Sequence, residues 1–233
     1  MGRDKLWLEW EGRPLLSALL ARVGEPGDGP VAPQAGDELE GSLRSRYGWG
    51  APWVAARHGQ VLPALERHRR VDDLEHPRVE GGPLLGLASG LRAMLGDPGD
   101  SPADADGWVA LVAGDEIEVD AERIRRRFEY AESLSRDTWA VLPLDPGGRP
   151  QFTSALLRLA AASQRVEAQL EAGIARLGAL FLGEVPAGDV ASGPGRVEGV
   201  VELAEDGQAG RDVDTPQDYA GARKAAPAAR SEG

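Results

Sequence analysis

Trp108-Val109-Ala110-Leu111-Val112-Ala113-Gly114-Asp115 is the stretch on which the fold turns. An unbroken apolar run of strand length that ends at Gly-Asp is what a strand buried on both faces requires, as in the middle of a parallel sheet. A helix is expected on either side of it. Upstream, Leu84 to Leu95 is a helical pattern opened by the turn Gly81-Gly82-Pro83. Downstream, residues 120–135 form a charged helix with Asp120 placed as its N-cap.

The same alternation continues outward. Pro52 to Ala56 reads as a strand, 61–67 as a short helix and 69–73 as a strand. Thr138 to Leu144 is a strand closed by the tight turn Asp145-Pro146-Gly147-Gly148. A helical pattern covers 152–182, weakened at Gly173 and Gly178, and Val200 to Leu203 reads as a last strand. At the N-terminal side, residues 5–10 read as a short strand or extended segment, and Gly12-Arg13-Pro14 turns into a helix with Pro14 in its first turn. Leu15, Leu16, Leu19, Leu20 and Val23 form that helix's apolar face. Residues 24–50 form a long Gly/Pro-rich loop with a short helix near 37–46, and the chain frays after Tyr219. Strands alternating with helices predict an α/β fold with an open, mostly parallel sheet, in one domain over 1–219 with a tail at 220–233.

Composition excludes several classes of function. With 26 basic and 38 acidic residues the formal charge is −12, so polyanionic nucleic acid is repelled. The absence of cysteine rules out disulfides and thiolate chemistry, and His58, His68 and His76 lack zinc-like spacing. No apolar run reaches the roughly 20 residues that span a bilayer, and no signal-peptide core follows Met1, so a cytoplasmic protein without membrane contact is expected.

In open α/β sheets ligands bind beyond the carboxyl ends of the strands, which directs attention to Asp72 and Asp73, Asp115, and Asp212 and Asp214. Asp115, directly after the most apolar strand, is placed to hold Mg²⁺, which takes one or two carboxylates plus phosphate oxygens and water; the plainer role is a turn cap shared with Glu116. Lys5 can pair with phosphate as a point charge or remain a solvated surface lysine. Gly82 and Pro83 open a helix whose N–H groups can approach an anion. Asp212 and Asp214 put two carboxylates on one side of an extended segment, and Thr215-Pro216 reads as a cap and first-turn proline. The tryptophans read as packing residues and the arginines within 123–127 as a solvated helix face.

The order of these motifs resembles the molybdenum cofactor guanylyltransferases, within the wider MobA-like nucleotidyltransferase superfamily. Met1-Gly2-Arg3-Asp4-Lys5 followed by Gly12-Arg13-Pro14-Leu15-Leu16 is similar to the family's R-M-G-x-D-K and G-x-P-L-L. Val71-Asp72-Asp73 and Gly82-Pro83-Leu84-Leu85-Gly86-Leu87 resemble V-x-D and G-P-L-A-G-L. Val109 to Asp115 resembles the strand ending in D-x-P, Pro146 to Gln151 the D-G-x-x-Q turn, and Asp212 to Asp218 the closing D-I-D-T-P-E-D. The matches are collinear over 1–219. Three departures stand out: the family's strand and L-A-G-G-x-S loop would precede Met1, Ile117 replaces the proline after Asp115-Glu116, and the loop 24–50 is longer. The first is expected to mean either a start codon placed too late or a truncated form.

The resemblance implies a Rossmann-like three-layer fold and transfer of GMP from GTP to molybdopterin, with Mg²⁺ and release of pyrophosphate. It implies Lys5 on nucleotide phosphate, Asp73 or Asp72 with Gly82 and Pro83 near guanine and ribose, and Asp115 on Mg²⁺. Gln151, Asp212 and Asp214 would lie on the acceptor side. Molybdoenzymes or their chaperones would be protein partners. The alternatives are a related enzyme using CTP or another acceptor, and a non-catalytic nucleotide-binding remnant.

Overall fold

The computed structural model describes residues 5–10, 12–23, 52–63, 69–96, 106–116, 119, 121–183 and 197–205. A 3-10 turn, Lys5–Trp7, leads into β1 (Glu9–Trp10), which pairs antiparallel with β2 (Arg13–Pro14). The strand expected over 5–10 is therefore only two residues long, and Gly12, at φ 79°, helps reverse the chain. Pro14 (φ −57°, ψ 144°) fixes the entry to α1 (Leu15–Arg22) from just outside the helix rather than within its first turn.

Next come β3 (Trp53–Ala56) and β4 (Arg69–Asp72), paired parallel with Ala56 opposite Asp72. They are followed by α2 (Pro83–Gly96), β5 (Trp108–Ala110), α3 (Ala121–Glu132), β6 (Ala140–Leu144), β7 (Leu156–Arg158), α4 (Leu159–Glu171), α5 (Leu177–Leu182) and β8 (Val200–Ala204). Residues 61–63 are not helical; the rest of the short helix expected at 61–67, the helix near 37–46, the Asp120 cap and the tail all lie outside the described residues.

The larger sheet has the order β5-β7-β6-β8. β6 and β8 are parallel, while β7 is antiparallel to both β5 and β6. Three of its strands thus point one way, and their carboxyl ends define a common rim. β5 corrects the expectation of a mid-sheet strand between parallel neighbours: among the described residues it pairs with antiparallel β7 alone, and it is half-buried.

Period-2 alternation divides the side chains between two cores. Ala140, Leu142, Leu157 and Val109 pack against α2, α4 and α5. Val141, Leu156, Trp108, Ala110 and, from β3, Val54 pack against α1 and α3. Helices on both faces make three layers, the expected α/β arrangement. The uninterrupted helix expected over 152–182 is corrected: Leu156–Arg158 is strand β7, and α4 ends before Gly173 at φ 77°, a left-handed conformation suited to glycine. No helix among the described residues is long and apolar enough to cross a membrane.

Candidate functional site

β5 delivers the chain to the rim, where the Leu111 N–H donates to the Ala155 carbonyl (2.8 Å) and the Glu116 N–H to the Ala113 carbonyl (3.2 Å). The first bond ties the chain to the residue before β7, and the second closes the turn at Gly114-Asp115. A Cβ on Gly114 would stand 3.0 Å from a Leu6 methyl, so the glycine lets the Lys5–Trp7 turn lie against it. The consequence is an ion pair between Lys5 Nζ and Asp115 Oδ2 at 3.5 Å, both side chains about one third exposed. Two residues 110 positions apart in sequence, each singled out from sequence, are brought together.

The same N-terminal turn reaches the second sheet. The Trp7 indole N–H donates to the Val61 carbonyl at 3.0 Å, in the segment following β3. Trp7 itself is 47% exposed, unlike the buried Trp10 and Trp139. Through Lys5 and Trp7 the carboxyl ends of β3 and β5 face one region of the molecule.

At the end of β4 the structure separates two carboxylates that the sequence left as alternatives. Asp72 accepts from Arg70 Nε (2.9 Å) and Nη2 (2.7 Å), and its other oxygen lies 3.2 Å from His58 Nδ1. Hydrogen bonding by Arg70 holds its carboxyl below the usual range. Asp73 points the opposite way, as alternation demands, with Oδ1 3.1 Å from where a Gly86 Cβ would stand on α2. Burial raises its pKa, the charge of Arg57 opposes this, and Asp72 adds to it.

Gly82 (φ 111°) precedes Pro83 at the start of α2 and accepts a hydrogen bond from the Leu85 N–H (3.2 Å). It abuts the Ala175 carbonyl, which lies beyond α4. β7 runs antiparallel to β5 and so leads away from the rim into α4, and Ala175 follows the end of that helix. Gln151 follows the Asp145–Gly148 turn between β6 and β7, its N–H donating to the Pro143 carbonyl (2.8 Å) and its amide to the Arg149 carbonyl (3.3 Å). It too is at the rim. Asp212 and Asp214 lie outside the described residues.

Sequence reasoning missed a buried cluster behind the rim. Arg127 corrects the reading of the arginine run as a solvated face: Arg125 and Arg126 pair with Glu122 at the surface, but Arg127 is buried. Its place three residues after buried Ile124 and one before Phe128, on the apolar side of α3, is the signal that could have found it. It binds Glu205, and Ser154 behind it binds Glu116.

Among the described residues no group of three or more His, Asp or Glu side chains forms a metal cage. A single partly exposed carboxylate beside an ammonium fits a divalent cation that arrives with phosphate oxygens and keeps its waters, the mode Mg²⁺ favours.

A family described as MobA-like NTP transferase domain matches residues 1–181. Among solved structures, a molybdopterin-guanine dinucleotide biosynthesis protein A from Archaeoglobus fulgidus is 15% identical, with a TM-score of 0.54 over 96% of this chain and 91% of its own. A protein from Mycobacterium tuberculosis H37Rv is 20% identical, with a TM-score of 0.51 over 96% and 90%. A 4-diphosphocytidyl-2C-methyl-D-erythritol synthase is 11% identical, with a TM-score of 0.55 over 94% and 93%. No curated protein matches at a significant level. At these identities the likenesses establish a shared nucleotidyltransferase-type α/β fold.

Proposed function

Because this chain belongs to the family of MobA-like NTP transferase domains, and so is a nucleotidyltransferase, we propose that it transfers GMP from GTP to molybdopterin. A phosphate oxygen of the acceptor attacks the α-phosphorus of GTP, a new P–O bond forms, and the bond to the β-phosphate breaks to release pyrophosphate. Such transfer needs positioning and charge neutralisation rather than a covalent intermediate. Asp115 would hold Mg²⁺, whose contribution when bound is to neutralise charge on the phosphates. Lys5, on a flexible stem, leaves Asp115 for a phosphate oxygen of the nucleotide.

Asp73 is favoured over Asp72 for the nucleoside, because Asp72 is engaged by Arg70 and His58 while Asp73 faces α2. The backbone around Gly82 and Pro83 approaches the base, and Gln151, with Asp212 and Asp214, serves the acceptor side. Molybdoenzymes or their chaperones would receive the product. The observation that carries the reading is the Lys5–Asp115 pair at the rim.

Its test is a thermal-shift panel of GTP, CTP and ATP with and without Mg²⁺, followed by pyrophosphate release with molybdopterin. Nucleotide at 100 times its Kd should stabilise the fold by about 2.7 kcal/mol, roughly 5–10 °C for a chain this size. GTP should give the largest shift, only with Mg²⁺, and Asp73→Asn should reduce it more than Asp72→Asn. The likeness to a diphosphocytidyl synthase makes CTP the second reading, selected if CTP shifts most. No shift with any nucleotide overturns both.

A further inference from the structure

Three of the five buried polar side chains among the described residues, Glu116, Arg127 and Ser154, belong to one cluster. Arg127 donates through Nε (2.5 Å) and Nη2 (2.9 Å) to the two oxygens of Glu205, and through Nη1 to the Ser154 carbonyl (2.8 Å). The Ser154 hydroxyl donates to Glu116 Oε2 at 2.5 Å. Arg123 Nε lies 3.9 Å from Glu205. The chain of contacts thus runs from the end of β8 through α3 and the start of β7 to the residue that follows Asp115.

Burying an ion pair is an expensive way to gain stability, since desolvation can exceed the attraction and apolar replacements are often as stable. What such a pair can supply is a fixed geometry, because the forked guanidinium accepts few arrangements of its partners. Here the geometry it fixes ends on the turn that presents Asp115. We propose that Arg127, Glu205 and Ser154 are positioning residues that hold Glu116, and with it the Asp115 carboxylate, in the orientation that takes a metal–nucleotide. None of them touches substrate. The inference rests on Asp115 as the metal carboxylate, and it explains why an arginine lies among the apolar residues of α3.

The test uses the full chain, comparing wild type with Ser154→Ala, Ser154→Thr and the double variant Arg127→Met, Glu205→Leu, which replaces both charges together. The first readout needs no nucleotide: amide hydrogen exchange at Leu111, whose N–H binds the carbonyl next to Ser154, and at Glu116, whose N–H closes the turn. It should rise about ten-fold in Ser154→Ala and in the double variant, with the amides of α2 and α4 unchanged, and Ser154→Thr should restore it. The second readout is the Mg²⁺ concentration giving half of the GTP-induced thermal shift, which should rise about ten-fold while saturating Mg²⁺ recovers the full shift. Unchanged exchange at Leu111 and Glu116 overturns the proposal, as does faster exchange with an unmoved Mg²⁺ requirement. A wild-type protein that takes no Mg²⁺–nucleotide overturns the functional reading instead, and the exchange measurement still decides whether the cluster holds the turn.

Discussion

In the proposed reaction Asp115 and Lys5 would divide the task by chemistry. A carboxylate can enter a metal's coordination shell, whereas an ammonium offers only donors and charge, so removing each should damage a different quantity. Asp115→Asn keeps the shape but loses the ligand charge, and is expected to lower Mg²⁺-dependent pyrophosphate release by at least about 100-fold, the scale of losing one dominant electrostatic contact to a transition state. Lys5→Ala should mainly raise KM for the nucleotide. Since solvent-screened pairs contribute about 0–1 kcal/mol, neither change should lower Tm by more than a few degrees. Steady-state kinetics beside a melting curve checks both, and an Asp115→Asn enzyme with full activity removes that residue from the site.

At the level of elements, α3 carries on its surface a test that does not depend on function. Hydrogen bonds from Arg125 and then Arg126 lower the Glu122 carboxyl from 4.5 to about 2. A carboxylate whose folded pKa is depressed stabilises above its unfolded value and loses that contribution as pH falls through its folded one. Glu122→Gln should therefore cost less than about 1 kcal/mol at neutral pH, the pair being solvent-screened. The gap in Tm from wild type should close between pH 4.5 and about 2. A circular-dichroism melt across that range decides it; a constant gap would mean the arginines stabilise Glu122 no more folded than unfolded. The same helix shows how far local pattern is legible. Its position follows from Ile124, Phe128 and Ala131, but the charge of Arg127 disguised a buried site as a surface one. β7 failed for a different reason. Leu156 and Leu157 are both fully buried, one in each core, so the strand lacks polar alternation and merged into the helical pattern behind it. Turns chosen by backbone conformation, such as the one at Gly173, were easier to place as weak points than as ends.

For the whole molecule, the layered α/β arrangement was legible because each apolar run needed two covering faces, and the rim followed from strand direction. Which aspartate of Asp72 and Asp73 faces α2 was not, since it depends on where Arg70 and His58 fall across a parallel pair. The long-range field is legible from composition alone, and it sets a final expectation. A net charge of −12 repels a free triphosphate at distances beyond the reach of Lys5. The Debye length shrinks from about 30 Å at 0.01 M salt to about 8 Å at 0.15 M, so added salt screens that repulsion before it would screen the proposed contact at Lys5. Association of metal-free GTP should accordingly speed up as NaCl rises over this range, by stopped-flow fluorescence, whereas Mg²⁺-loaded GTP, carrying less charge, should depend on salt less. Slower association with salt for the metal-free nucleotide would mean that cations near the rim dominate the approach, and the global charge would then not explain a requirement for the metal.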